Sequence, residues 1–400
     1  MHRRNLLAAA GAAFFAGTLR GAELPGDVKI TRAVGFNLTS RRNKTAGKNA
    51  RLDVHGDRGH DRMLRIYTNQ GVEGIGNCAI AKEAAAELLG KNPLDFFRPA
   101  ERRVVGPFGA GTMPLWDLAG KLLKKPAYEL LGGAGAEKIP AYDGSIYFAD
   151  LLAQYAAGWA DRFRQEIDQG LALGHGAFKI KLGRGFKWMP RAEGDRRDVE
   201  VVKLIRRHAG PDVLLGVDAN NGYDLAGAKR LLDELGGEKL AFVEELFPET
   251  VEQCLELKAF IRERGWRTLV ADGETQHDLT AYQPFMEARA IDVFQGDMNH
   301  FGLDGILAEA AMCKPHGGLI APHNWGSLVG FFMELHVGRA VSNFYRAEHD
   351  PLASDVIVAD GYQIKDGLAS LPEAPGFGLS IDEGAFGREA EIRFDVKASK

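Results

Sequence analysis

The chain has 400 residues, of which 45% are hydrophobic and 26% charged, the composition of a globular protein rather than a disordered or fibrous one. Its formal net charge of −4 argues against a nucleic-acid-binding domain, which normally carries a basic excess. The three cysteines, Cys78, Cys254 and Cys313, are far apart and outside any CxxC or Cys/His pattern, so they are read as buried thiols and not as a disulfide framework.

Residues 1–22 read as an export signal. Arg3-Arg4 precede Leu6-Leu7-Ala8-Ala9-Ala10, small and apolar residues continue from Gly11 to Gly17, and Ala22 lies near a plausible cut. Paired arginines before a short apolar run point to the twin-arginine route. The run is too short to span a bilayer. The mature protein is therefore expected to be periplasmic or otherwise exported, with no membrane span.

Beyond the signal, residues 29–37 and 63–68 read as strands, and Asn69-Gln70-Gly71 turns the chain into a third at 72–75. Residues 39–62 between them are polar, basic and glycine-containing, carry His55 and His60, and predict a loop. Helices are predicted at 81–89 and 114–131, the second on the helical spacing of Leu115, Trp116, Leu118, Ala119, Leu122 and Leu123 before Gly132-Gly133. Residues 23–138 thus form an α+β domain. From Ile139 the pattern changes. Short β-rich runs at 176–181, 213–218, 240–244, 268–271, 291–294, 319–321 and 343–346 alternate with helical segments such as 199–208, 226–235 and 252–264. Such alternation implies a parallel sheet with helices outside it, here a barrel over 139–354. The loop-rich tail 355–400 fits no barrel unit.

Seven polar residues mark the ends of these units: Lys181, Asp218, Glu244, Glu274, Asp297, His323 and Glu348, separated by 37, 26, 30, 23, 26 and 25 residues. A (β/α) barrel uses about 250 residues for eight units and gathers its strand ends around one mouth, where its active sites lie. Lys179 and Lys181 are two apart on one strand and share a face, so each ammonium should lower the other's pKa toward that of a usable base. Asp218, Glu244 and Glu274 offer three oxygens, the preference of Mg²⁺, and no thiolate or histidine cluster argues for zinc. Asp272 shares a face with Glu274, and either could be the third ligand. Asp297 beside His323 would fix the imidazole's tautomer and raise its basicity.

These motifs resemble the enolase superfamily, in particular its mandelate racemase subgroup. The resemblance rests on Lys179-Ile180-Lys181, Asp218-Ala219-Asn220, Val243-Glu244-Glu245, Gly273-Glu274, Gly296-Asp297 and Pro322-His323, with Leu115-Trp116-Asp117-Leu118-Ala119-Gly120-Lys121 and Pro375-Gly376-Phe377-Gly378-Leu379 outside the barrel. It implies a (β/α)7β TIM-like barrel whose N-terminal capping domain is completed by the C-terminal segment. It also implies Lys181 as a base, Lys179 and Asn220 against the substrate carboxylate, one Mg²⁺ on Asp218, Glu244 and Glu274, the Asp297–His323 dyad on the opposite face, and Glu348 as a proton donor to the carboxylate. A symmetric homo-oligomer follows from the same resemblance. The sequence departs from the family at Leu246-Phe247-Pro248, where a proline usually follows the glutamate pair directly, and in the long basic segment 183–197.

Removing a proton α to a carboxylate creates a doubly charged enediolate, and a cation with an ammonium stabilises it. If His323 then protonates a leaving β-hydroxyl, the outcome is dehydration of a sugar acid to a 2-keto-3-deoxy acid. If it reprotonates the α-carbon, the outcome is racemisation or epimerisation of a 2-hydroxy acid. Dehydration is the expectation, because the polar cap segment suits hydroxyl-rich substrates. Racemisation is the alternative, and a non-catalytic exported binding protein is the third reading. The absence of an HxH pattern argues against a metal-dependent hydrolase.

Overall fold

The computed structural model describes residues 27–98, 101–236 and 239–398. The export signal expected over residues 1–22 lies outside them. No helix among the described residues is long and apolar enough to cross a membrane.

The N-terminal part is an antiparallel sheet built on β1 (Ile30–Ala46), β2 (Gly56–Thr68) and β3 (Glu73–Asn77). The predicted loop over 39–62 is mostly strand. Arg41 pairs with Arg58 and Thr39 with His60, leaving only residues 47–55 to connect the two. The polar composition misled because this end of the hairpin is amphipathic. Arg42, Lys44 and Asp61 are buried, but they are partnered by other polar groups rather than by apolar ones.

The barrel strands are β4 (Ile139–Ile146), β5 (Ala177–Lys181), β6 (Leu214–Asp218), β7 (Leu240–Glu244), β8 (Leu269–Asp272), β9 (Val293–Phe294), β10 (Leu319–Ile320) and β11 (Ala347–His349). Neighbours are parallel throughout. An Ile320–Phe344 bridge and the pairing of β11 with β4 close the ring. Helices fill the intervals, so the barrel is (β/α)7β. The last strand lies a few residues beyond the predicted run at 343–346. Tyr142, Ala177, Phe242, Ala271, Val293 and Ala321 fill the interior, and the ring of Phe242 occupies the space that a Cβ on Gly216 would need.

The C-terminal tail divides its contacts. Leu368–Ser370 adds antiparallel to β4, whereas Glu391–Lys397 pairs with β1, from Arg32–Lys397 to Asn37–Glu391. The helix Met113–Leu123 joins these parts. Its buried Asp117 accepts from the backbone N–H of Ile75 (2.9 Å) and of Phe377 (2.8 Å), and ion-pairs with Lys121. Trp116 donates from Nε1 to Asp304 on a barrel helix at 2.7 Å. Both residues lie in the stretch that carried the resemblance outside the barrel.

Candidate active site at the barrel mouth

Side chains alternate along a strand, so Ala177 in the barrel core puts Lys179 and Lys181 on the inward face above it. The register then aligns Lys181 with Asp218 and Asp218 with Glu244 on three adjacent strands. All four of these charged residues are buried. Past the strand ends the backbone takes left-handed conformations at Asn220 (φ 42°), Glu245 (φ 41°) and Gly273 (φ 136°). The glutamate is the costlier one, since residues other than Gly, Asn and Asp less readily hold such a φ.

Oxygens of Asp218, Glu244 and Glu274 lie within 4.8 Å of one another, the one such group of three or more metal-binding side chains among the described residues. Asp272 is not in it. It is buried beside Glu249 and Glu245, and burial first, then those charges, push its carboxyl well above the usual range. Lys179 Nζ bridges Glu244 (2.8 Å) and Glu348 (2.7 Å). Lys181 is hydrogen-bonded to Asp218. Asn220 donates to Glu274 Oε1 at 3.0 Å.

Asp297 serves two partners. One oxygen caps the helix Met298–Cys313 by accepting from the His300 N–H at 2.8 Å, and the other accepts from His323 Nδ1 at 2.6 Å. The imidazole's Nε2 is thereby left facing Glu274 Oε2, 3.2 Å away. Helix cap and dyad partner coincide in one carboxylate.

The electrostatics correct one expectation. Burial, the largest influence, would lower the pKa of Lys181, and Lys179 pushes the same way, but Asp218, Tyr147 and Glu274 together outweigh them and hold Lys181 above the ordinary lysine value. Lys179 is raised likewise, against burial, by Glu244 and Glu348. A carboxylate in hydrogen-bond contact is closer than the second ammonium, so it dominates. Burial would also lower His323, yet Glu274 and the bond to Asp297 raise it to about 10.

Several residues at the site gave no sequence signal that was read as functional. Gln295 donates to Glu244 Oε2 at 2.7 Å. It lies two residues past Val293, so strand alternation could have found it. The Asn324 N–H donates to Glu348 Oε2 at 2.9 Å. Gly144 makes room for Glu348, since a Cβ there would fall 2.4 Å from Oε1. Tyr147 on β4's extension stacks on Trp325 and lies beneath the Lys181 ammonium. Pairing across the barrel mouth brings these groups together, and no local pattern encodes it.

Fold and site define a barrel enzyme in which a lysine pair, an acidic triad and an Asp–His dyad share one mouth. Residues 162–385, more than half of the chain, match the family described as Enolase C-terminal domain-like, and the chain belongs to that family. It is 27% identical over 397 residues to D-galactarolactone cycloisomerase of Agrobacterium fabrum, covering 90% of this chain and 98% of the relative. It is 30% identical over 289 residues to arabinonate dehydratase of Saccharolobus solfataricus, covering 71% of each. Among solved structures it resembles galacturonate dehydratase from Geobacillus sp. complexed with D-galacturonate and 5-keto-4-deoxy-D-galacturonate, with 31% identity, a TM-score of 0.82, and coverage of 92% of this chain and 99% of that one. A mutant of a galacturonate dehydratase from Geobacillus sp. was crystallised with Mg (30% identity, TM-score 0.83, covering 93% of this chain and 99% of that one).

Proposed function

We propose that the protein is a Mg²⁺-dependent lyase that removes the proton α to the carboxylate of a sugar acid and expels the β-hydroxyl, giving a 2-keto-3-deoxy acid. The observation that carries this reading is the convergence of Lys181, the Asp218–Glu244–Glu274 triad and the Asp297–His323 dyad on one buried site. Dehydratases among the relatives support it. The keto group of 5-keto-4-deoxy-D-galacturonate adjoins that acid's carboxylate, and the deoxygenated carbon is next to it, which is the same chemistry numbered from the other end of the chain.

The site fits the cation. Its donors are oxygens alone, and the buried acceptors Asn220 Oδ1, Glu245 Oε1, Asp272 Oδ1 and Gln295 Oε1 have no hydrogen-bond donor. Asp218, Glu244 and Glu274 would hold Mg²⁺. When bound, it supplies positive charge beside the substrate carboxylate and engages the oxygens that otherwise keep Lys181 protonated.

In this reading Lys181 Nζ takes the α-proton, and the C–H electron pair moves into the carboxylate as an enediolate. Lys179, tied to Glu244 and Glu348, steadies that charge. Glu348 and Asn220 would orient the carboxylate. The His323 imidazolium, whose raised pKa suits an acid, delivers Nε2–H to the β-oxygen. The C–O bond breaks, water leaves, and the enol becomes the keto acid.

Incubation with a sugar-acid panel, assayed for 2-keto acids, tests the reading. Exchange of the α-hydrogen in deuterated water with no keto acid would favour the isomerase alternative, which the cycloisomerase relative keeps in view. Export through the twin-arginine route and a homo-oligomeric state belong to the same proposal. Fractionation of a full-length chain carrying Arg3/Arg4→Lys tests the first, and sedimentation tests the second.

A further inference from the structure

His55 is the one histidine of the 47–55 connection between β1 and β2, and its surroundings are unusual for a surface loop. The connection is clamped onto the barrel mouth. Trp188 donates from Nε1 to Asn49 O at 2.6 Å, Arg51 from Nε to Asn220 O at 2.7 Å, and the Phe148 N–H to Lys48 O at 2.9 Å. The second of these contacts reaches the residue beside the acidic triad. The cap thus delivers His55 to the rim of the site on a rigid backbone, with its own N–H bonded to Gly47 O at 3.1 Å.

Its ring is held edge-on against two aromatic residues of the barrel, Tyr147 (centroids 4.6 Å) and Trp325 (5.7 Å), which stack on each other at 4.4 Å. Tyr147 also lies beneath the Lys181 ammonium, 5.4 Å from its centroid. The imidazole and the candidate base therefore border the same ring. Trp325 Nε1–H donates to His55 Nδ1 at 3.2 Å. An indole nitrogen can only donate, so Nδ1 must accept and carries no proton. The imidazole is then neutral with its hydrogen on Nε2. Burial first, then the nearby Lys181 and Arg42 charges, push its pKa down to about 4, in keeping with that form.

Nε2 is buried and has no hydrogen-bond partner. Leaving a buried N–H unmatched costs about 1–3 kcal/mol. The surrounding framework does not relax to satisfy it. Trp325 fixes the tautomer and the clamped loop fixes the ring.

We infer that His55 is a substrate-binding residue whose Nε2–H donates to a hydroxyl oxygen of a polyhydroxy acid, on the part of the chain away from the reacting carboxylate. The inference rests on the proposed function for its location, and it specifies the substrate class: an acid with hydroxyls beyond the β-carbon. A short acid such as lactate would leave the N–H unmatched. Trp325 acts through His55 as a positioning residue.

The experiment compares the Mg²⁺-loaded wild-type chain with His55→Phe and His55→Gln, titrating lactate, D-gluconate, D-galactonate and D-galacturonate by calorimetry and assaying keto acid separately. His55→Phe should weaken the best-bound polyhydroxy acid about tenfold or more, leave lactate unchanged, and raise KM more than it lowers kcat. His55→Gln, which keeps an N–H donor, should recover part of the loss. A ¹⁵N spectrum should place the ring proton on Nε2, and Trp325→Phe should release that preference. Equal affinities in wild type and His55→Phe, no affinity of the wild type for any polyhydroxy acid, or an Nδ1-protonated ring would each overturn the inference. Binding that depends on His55 without any keto acid would sink the dehydratase reading instead and leave this one standing.

Discussion

At the scale of single residues, the site is a contest between burial and pairing. Taking Lys179, Lys181, Asp218 and Glu244 out of water would neutralise each of them in isolation. Pairing instead keeps the lysines cationic and lowers Asp218, while burial first, then Asp218 and Glu274, push Glu244 well above the carboxylate range. Two substitutions separate the proposed steps. Lys181→Ala should abolish α-hydrogen exchange in deuterated water by a factor of about 10²–10⁴, read by proton NMR, and no keto acid should form. His323→Asn should retain exchange while keto-acid formation drops by a similar factor. Equal loss of both in His323→Asn would mean that the imidazole takes part in breaking the C–H bond.

At the scale of elements, function depends on cap and barrel keeping one alignment. Asp304 on the helix Met298–Cys313 accepts from the Val104 N–H (2.7 Å), Thr112 Oγ1 (3.0 Å) and Trp116 Nε1 (2.7 Å). Asp297 caps the start of the same segment, separated from Asp304 by a kink at Gly302 (φ 62°). Asp304→Ala removes the acceptor shared by these donors and should destabilise the protein by about 2–4 kcal/mol, measured by denaturant unfolding. A loss below about 0.5 kcal/mol, the range of ordinary surface changes, would show that the contact is dispensable. The helix Met113–Leu123, which carries Trp116, was legible in the sequence as the periodic pattern at 114–131, although the chain breaks before a second helix at Ala127–Leu131. The polar cap segment did not read as strand, because its buried side chains are charged and find their partners across the molecule, as Arg42 does with Asp350 and Lys44 with Glu166.

At the scale of the whole molecule, stability should respond to pH and to the cation. His336 is fully buried, its Nδ1 accepts from the Tyr128 N–H at 3.1 Å, and its Nε2 donates to Tyr362, which donates to Phe377 O. Barrel helix, cap helix and C-terminal segment meet on this one ring. Burial first, then Arg339, depress its pKa to about 3. A folded-state value below the unfolded one of about 6.5 means that the unfolded chain binds the proton more readily. Its contribution is complete above pH ~6.5 and lost progressively as the pH falls toward the folded value. Unfolding free energy measured against pH should fall across that window, and His336→Gln should remove part of the slope. A superimposable slope would assign it to other groups, among them His349, which burial also lowers to about 3. Mg²⁺ at a hundred times its Kd should add about 2.7 kcal/mol to wild-type stability, a rise in Tm that a chelator reverses and Glu244→Gln abolishes. The same titration in Glu244→Gln reports binding independently of turnover.

The sequence by itself determined the strand–helix alternation, the barrel class and the spacing of Lys181, Asp218, Glu244, Glu274, Asp297, His323 and Glu348, because period, turn residues and unit length are local properties. Only the tertiary structure decided which of Asp272 and Glu274 joins the acidic triad, that Asp218 outweighs Lys179 at the Lys181 amine, and that Gln295, Tyr147 and Trp325 border the site. It also decided where the C-terminal strand pairs and that a cap residue, His55, meets the barrel's Trp325. Each of these is a distance between parts of the chain remote in sequence, and electrostatic and hydrogen-bond energies depend on that distance while composition and periodicity do not.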